Sequence, residues 1–225
     1  MENEGAGKIP PCWQPFWLKA IFRAIFWISF GGYDVRGIEN IHREGPLILV
    51  ATHRSYLDPI LLGAFIPRRI HFLAKRELFE KTHHRLVNTL FGGFSVNREK
   101  PQGSTFRTAL QILRAGGVVT LFPEGGIVDT LGQKGFKAGV GTLATMSGAS
   151  ILPIYITGSD TLIDMQRALS DTSFLAIRVG KLLRPVPGRG REAREHAARL
   201  AEESLRNLER EYVASYPKIS VKKSR

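Results

Sequence analysis

A histidine and an aspartate five residues apart are the strongest candidates for acid–base chemistry in this sequence. His53 directly follows an apolar run of strand length, and Asp58 precedes a proline. Open α/β sheets place their sites at the carboxyl ends of such strands. On an ideal helix five residues turn through about 500°, so the two side chains would diverge by about 140°. A tight loop ending in an Asp N-cap can instead bring the carboxylate to the imidazole and leave the second ring nitrogen as a base. The competing interpretation is a surface histidine beside an ordinary helix cap.

Three further blocks place special residues at the ends of predicted strands. Arg98 closes a glycine-rich strand segment. Glu124 and Gly125 lie on the turn that ends another strand, and Pro153 interrupts a third apolar run. With the histidine–aspartate block, these make four blocks in a fixed order along the chain.

In order and spacing, the four blocks resemble the motifs of the glycerolipid acyltransferase family, typified by bacterial lysophosphatidic acid acyltransferases. The resemblance covers residues 33–185. It implies an α/β fold and transfer of a fatty acyl chain from acyl-CoA or acyl carrier protein to the free hydroxyl of 1-acylglycerol-3-phosphate, which makes phosphatidic acid. The alternatives are another lysophospholipid or hydroxylated lipid as acceptor, and a non-catalytic lipid-binding relative.

The resemblance also implies roles for individual residues. His53 with Asp58 becomes the base that deprotonates the acceptor hydroxyl, worth about 10²–10⁴ in rate. A thioester is already activated, so neither an enzyme nucleophile nor a cofactor is implied. Backbone N–H groups at the helix start near Asp58 are candidates for binding the oxyanion. Arg98 suits a phosphate clamp, because a guanidinium can grip phosphate through two hydrogen bonds; its alternative is a structural pair with Glu99.

The remaining substrate-binding residues are also implied by the resemblance. Glu124 and Gly125 would shape the acceptor site, and Lys75 and Lys137 are further cations at matching positions. The plainer role for Glu124 is that of a carboxylate capping a turn.

The sequence departs from the family pattern at two places. Thr52 stands where the family usually has Asn before the histidine, and residues 126–128 replace a Thr-Arg-Ser triplet. The second change removes one expected phosphate contact, for which Lys134 and Lys137 lie just downstream.

An aromatic-rich helix is predicted ahead of these blocks, between Pro15 and Gly31. Lys19 and Arg23 are four residues apart and share one face, while the other faces carry Phe and Trp side chains. The segment is short for a membrane span of about 20 residues and contains two cations. We therefore expect a helix lying in the membrane interface, the alternative being a core helix of the globular domain.

Strands and helices alternate through the rest of the chain, which predicts an α/β fold with a mostly parallel central sheet flanked by helices. The strands are expected at Tyr33–Ile38, Pro46–Ala51, Ile70–Ala74, Val118–Phe122, Ile151–Thr157 and Phe174–Val179. The helices are expected from Asp58 to about Phe65, at 77–90, at 105–115 after a Ser104 cap, at Lys137–Ser147 and at Arg191–Tyr212. The pattern Gly139-Val-Gly141 spells part of a dinucleotide fingerprint but follows a loop instead of a strand, so it is set aside.

The chain is strongly basic, with a formal net charge of +12. The basic residues are grouped in regions and the aromatic residues concentrate in the amino-terminal helix, so an anionic lipid membrane is the expected partner and nucleic acid is not. The single cysteine excludes a disulfide framework. His83 and His84 lack further residues at ligand spacing, so no metal is expected.

Two regions are expected along the chain. Residues 1–32 form an amphipathic membrane-associating segment, without the apolar core of a signal peptide. Residues 33–225 form the acyltransferase domain, which ends in an amphipathic helix and a basic tail. This organisation predicts a peripheral protein at the cytoplasmic face of a membrane.

Overall fold

The computed structural model describes residues 14–75, 92–96, 103–128, 131–132, 136, 138–160, 175–188 and 190–216. Its helices are α1 Phe16–Phe30, α2 Asp58–Phe65, α3 Gly103–Arg114, α4 Gly139–Ser147 and α5 Arg191–Ser215. Its strands are β1 Tyr33–Arg36, β2 Leu47–Ala51, β3 Ile70–Lys75, β4 Gly93–Val96, β5 Val118–Leu121, β6 Ser150–Thr157 and β7 Leu175–Val179.

The described strands form one sheet in the order β1-β7-β6-β2-β5-β3-β4. Neighbours pair in parallel everywhere except between β6 and β7, which are antiparallel. The mostly parallel α/β fold predicted from the sequence is therefore confirmed. Because β2, β3, β4, β5 and β6 run in the same direction, the loops after these strands meet at one edge of the sheet.

Strand β2 is buried along its whole length because helices cover both faces of the sheet. Leu47, Leu49 and Ala51 pack into the core formed with α1 and α2. Ile48 and Val50 pack into the opposite core, formed with α3, α4 and α5. This alternation is the period of two expected of a strand, and it explains why the sequence shows a continuous apolar run there.

The predicted boundaries agree with the structure to within a few residues, with two local corrections. Helix α2 begins at Asp58 itself, its N-cap residue is Leu57, and no side chain caps it. Helix α3 begins at Gly103, so Ser104 lies inside the helix and does not precede it. The helix predicted at 77–90 lies outside the described residues.

Gly141, one of the two glycines in the pattern that resembled a dinucleotide fingerprint, has a packing role. A Cβ atom on Gly141 would lie 1.9 Å from the backbone oxygen of Arg194. Only a residue without a side chain lets α4 approach α5 this closely.

The two cations of α1 face the protein interior, so the face that Lys19 and Arg23 share is turned toward the end of α2. The ammonium of Lys19 donates to the carbonyl oxygens of Ile66 at 2.6 Å and Arg68 at 3.0 Å. Arg23 donates through Nε to the Ala64 carbonyl at 2.8 Å. Both side chains thus satisfy carbonyls at and just beyond the carboxyl end of α2, where the helix dipole also favours positive charge.

Replacing Lys19 with Met should therefore destabilise the fold although it lies in an aromatic helix. Met keeps most of the apolar stem but leaves two carbonyls without their charged donor, at a cost of about 2 kcal/mol. For a chain of this size the melting temperature should fall by about 4–8 °C. Thermal unfolding followed by circular dichroism measures this.

Ile28→Ser provides the control on the same helix, because the Ile28 side chain is 80% exposed. Its melting temperature should stay close to that of the wild type. Equal melting temperatures for Lys19→Met and the wild type would contradict the capping role of Lys19.

Candidate active site

The Asp58 carboxylate organises the loop between β2 and α2. It is fully buried, and its Oδ2 atom lies 2.9 Å from His53 Nδ1. The same oxygen accepts hydrogen bonds from the backbone N–H groups of Arg54 at 2.7 Å and Ser55 at 2.8 Å. The chain therefore wraps around one carboxylate oxygen, and His53 and Asp58, predicted to interact from their spacing, are in direct contact.

The His53 side chain is fixed on more than one side. Its ring stacks on Phe122, which follows β5, with the centroids 4.1 Å apart. Its carbonyl accepts a hydrogen bond from the Val128 N–H at 2.9 Å, and its side chain is 15% exposed. With a carboxylate as the acceptor, Nδ1 carries the ring proton, so Nε2 presents a lone pair. The alternative of a surface histidine beside a plain helix cap does not describe this arrangement.

Most N–H groups expected to bind an oxyanion already have acceptors. The Ser55 N–H donates to Asp58 Oδ2, the Leu57 N–H to Ser55 Oγ, and the Asp58 N–H to the Ser55 carbonyl. Pro59 has no N–H. These three N–H groups hold the loop together, so the expectation that backbone donors stabilise the oxyanion does not apply to them.

Glu124 lies in the loop after β5, the strand next to β2 in the sheet. Its side chain is 2% exposed, and Oε1 accepts the Gly132 N–H at 2.6 Å. Its Oε2 meets no hydrogen-bond donor among the described residues. Gly125 forms the adjoining turn with φ 70°, a conformation that favours glycine, and its N–H donates to the Phe122 carbonyl.

The environment of Glu124 favours its protonated form. Burial raises the pKa of this carboxyl above its ordinary value. The Gly132 hydrogen bond, the nearby Arg54 guanidinium and the His53 ring act in the opposite direction, while Glu209 adds to the rise. Glu124 thus closes its own loop, as the plainer interpretation expected, and also keeps a buried oxygen without a donor from the described part of the chain.

The Thr52 side chain continues the pairing between β2 and β6 just beyond the last residue of β2. Its hydroxyl donates to the Ile156 carbonyl at 3.0 Å and accepts the Ile156 N–H at 2.7 Å. The residue that departs from the family pattern therefore ties the start of the His53 loop to β6.

Among the cations predicted to bind the phosphate, Lys75 lies within the described residues. Lys75 is the last residue of β3 and pairs in register with Val96, the last residue of β4. Its backbone thus lies at the end of the sheet where the carboxyl ends of the parallel strands meet, as do the loops of His53 and Glu124. Arg98 and Lys137 lie outside the described residues.

Comparisons with known proteins match the part of the chain that contains this site. A family model described as Acyltransferase matches residues 32–157, which is more than half of the chain. The chain therefore belongs to the Acyltransferase family. The match includes His53, Asp58 and Glu124 and excludes α1 and α5.

Curated relatives carry the name 1-acyl-sn-glycerol-3-phosphate acyltransferase. The protein of that name from Bacillus subtilis is 32% identical over 129 residues, which cover 57% of this chain and 64% of the relative. The one from Streptococcus pneumoniae is 27% identical over 149 residues, covering 65% of this chain and 55% of the relative. The chain thus spans less than two thirds of the length of these two relatives.

A solved structure has the same fold. The crystal structure of the 1-acyl-sn-glycerophosphate (LPA) acyltransferase PlsC from Thermotoga maritima superposes with a TM-score of 0.64. The alignment covers 86% of this chain and 80% of that protein at 21% identity. The α/β arrangement described above for this acyltransferase-family chain therefore recurs in that enzyme.

Glu124→Gln should raise the melting temperature at about pH 8 and have little effect near pH 4. The pKa of Glu124 is raised in the folded protein. Glu124 therefore contributes to the stability of the fold at pH values below its unfolded pKa. That contribution is lost as the pH rises through the folded pKa. Glutamine resembles the protonated form and can still accept the Gly132 hydrogen bond. Thermal unfolding across this pH range measures the difference.

The matched control is Glu195→Gln, because the Glu195 carboxylate is exposed and pairs with Arg191. It should give no gain in melting temperature at about pH 8. A gain for Glu124→Gln that does not depend on pH would show that protonation of this carboxyl is not its cause.

Proposed function

We propose that this protein transfers a fatty acyl chain from an acyl thioester, of coenzyme A or of acyl carrier protein, to the free hydroxyl of 1-acylglycerol-3-phosphate, forming phosphatidic acid. The observation that carries the proposal is the contact between His53 Nδ1 and the buried carboxylate of Asp58 at 2.9 Å. This pair lies in the Acyltransferase match, and the names of the relatives supply the acceptor.

The proposed reaction uses His53 as general base. Its Nε2 takes the proton of the acceptor hydroxyl as the oxygen attacks the thioester carbonyl carbon. The tetrahedral intermediate then collapses, the carbon–sulfur bond breaks, and the imidazolium returns its proton to the departing thiolate. Asp58 holds the ring in the required tautomer and stabilises the transient imidazolium. No covalent acyl-enzyme is needed, because the thioester is already activated.

The acceptor phosphate requires cations near His53, at the carboxyl-terminal end of the parallel strands. Lys75 ends a strand at that end of the sheet, and Arg98 follows Val96, the last residue of β4, by two positions in the sequence. We assign Arg98, Lys75 and Lys137 to the phosphate on the strength of their motif positions. Glu124 and Gly125 would shape the pocket for the glycerol part.

We further propose that α1 attaches the protein peripherally to an anionic membrane, at the cytoplasmic face, with residues 33–225 forming the acyltransferase domain. None of the described helices is both long and apolar enough to cross a membrane. Lys19 and Arg23 are the only charged residues of α1, and both contact the end of α2. The outward face is therefore apolar and carries the large exposed side chains Phe16, Trp17, Ile21, Ile25, Trp27 and Ile28. Such a face suits the boundary between lipid headgroups and acyl chains.

The catalytic assignment predicts that His53→Ala lowers kcat/KM by about 10²–10⁴. Asp58→Asn should also lose most activity, because an amide cannot stabilise the imidazolium. The measurement is mass-spectrometric detection of phosphatidic acid, using purified protein, each thioester donor and 1-acylglycerol-3-phosphate, with monoacylglycerol as a phosphate-free acceptor.

His42→Ala is the control, because His42 is an exposed histidine outside the site. Wild-type turnover by His53→Ala would overturn the base assignment. A wild-type protein that binds lipid but transfers no acyl chain to any of these acceptors would leave the non-catalytic lipid-binding relative as the better description.

The membrane assignment predicts weaker vesicle binding when the outward face of α1 becomes polar. Ile25→Ser with Ile28→Ser removes two side chains worth on the order of 1.5 kcal/mol each when buried in lipid, so partitioning should fall about 100-fold. Co-sedimentation with phosphatidylglycerol-containing vesicles measures this, and point variants are preferable to a deletion because Phe26 and Phe30 belong to the core.

Met146→Ser is the control for this experiment, since Met146 has an exposed fraction of 47%, the same as Ile25, but lies on α4. Binding of the double isoleucine variant equal to that of Met146→Ser would place the membrane contact on another part of the chain.

A further inference from the structure

The side chain of Arg54, the residue after His53, lies on the other face of the sheet. His53 stacks on Phe122 beside the core formed with α1 and α2. The Arg54 guanidinium instead lies 5.9 Å from the ring centroid of Tyr155, which belongs to the cluster with Tyr212 of α5. Consecutive residues of one loop are therefore anchored on opposite faces of the sheet.

The far end of the Arg54 side chain reaches Glu209 on α5. Arg54 Nη2 lies 3.4 Å from Glu209 Oε1, and the two side chains are 9% and 19% exposed. An arginine cannot give up its proton in a protein, so its burial requires a partner of opposite charge. Glu209 meets that need from a helix outside the residues matched by the family model.

The backbone of Arg54 completes the connection to the base. Its N–H donates to Asp58 Oδ2 at 2.7 Å, the shortest of the three hydrogen bonds that this oxygen accepts. A side chain held at Glu209 and Tyr155 limits how far this N–H can move. A displacement of the Arg54 backbone would shift Asp58 and, through it, the His53 ring.

We infer that Glu209 is a positioning residue for the acyl transfer proposed above: by holding Arg54 from α5, it fixes the loop that orients Asp58 and His53. The expected effect of Glu209 on the reaction rate rests on the proposed function, whereas its expected effect on the loop does not. The charges of Arg54 and Glu209 also act on Glu124, in opposite directions, so the same pair influences the carboxyl group on the neighbouring loop.

Glu209→Gln in the full chain tests the inference, with Glu195→Gln as the matched loss of one glutamate charge from the same helix. We expect Glu209→Gln to lower kcat about 10-fold, because small displacements of a catalytic group are costly. The KM of the acceptor should change by less than about twofold, because the substitution leaves substrate binding unchanged. Glu209→Asp keeps the charge and should recover part of the rate, which a merely structural loss would not predict.

Arg54→Gln, alone and combined with Glu209→Gln, keeps the test valid where Glu209→Gln by itself folds poorly. The double variant removes both charges of the pair, so Arg54 does not remain opposite a neutral glutamine. The two residues act as one unit, and the loss in the double variant should therefore be close to that of either single variant. Additive losses, or a kcat for Glu209→Gln equal to that of Glu195→Gln, would overturn the inference.

Amide hydrogen exchange separates this inference from the proposed function. In NMR exchange experiments, the Arg54 and Ser55 N–H groups should exchange faster in Glu209→Gln than in Glu195→Gln. This readout requires no activity, so it decides the inference even where the wild type transfers no acyl chain. Unchanged exchange at these two amides would overturn the inference while leaving the acyl transfer intact.

Discussion

The buried carboxylate of Asp58 is the constraint on which the site depends. A carboxylate without exposure to water is costly unless donors surround it. The donors here are Arg54 N–H, Ser55 N–H and the His53 ring, all on one oxygen. To supply them, the chain must turn sharply within the few residues between β2 and α2. The need to satisfy this charge therefore determines the loop conformation and the orientation of the imidazole together.

The surrounding sheet makes this turn possible because it holds both ends of the loop. Thr52 attaches the entry to β6 through two hydrogen bonds of its hydroxyl. Helix α2 begins directly at Asp58, and its far end is capped by Lys19 and Arg23 of α1. The position of the site thus depends on residues far from it in sequence.

The sequence was sufficient to predict most of the described elements from local patterns, and the histidine–aspartate pair from its spacing together with the order of the four motif blocks. The apolar run of β2 indicated a strand covered on both faces, and the five-residue spacing of His53 and Asp58 suited a loop. The inward direction of Lys19 and Arg23 was not predictable in the same way. Periodicity shows that two residues share a face, but not which face meets the protein, and cations are usually expected at the surface.

The role of Arg54 was missed for a related reason, since its partner Glu209 lies 155 residues away in the sequence. One signal was available. Glu209 is four residues after Leu205 and three before Tyr212, so it stands on the apolar stripe of α5, where both of those side chains are buried. An acidic residue on such a stripe indicates a buried cation elsewhere in the fold. Arg98 and Lys137 remain predictions from motif position.

The inward cations of α1 have a consequence for how lipid and fold influence each other. The only charges of α1 are hydrogen-bonded to carbonyls at and just beyond the end of α2. The helix therefore cannot leave the domain to enter a bilayer without losing these partners and exposing Phe26 and Phe30. On the membrane attachment proposed above, α1 therefore binds lipid while it stays docked on the folded domain. A membrane that bound the outward face of α1 would then act as a ligand of the native state, and by mass action it would stabilise the whole domain against unfolding.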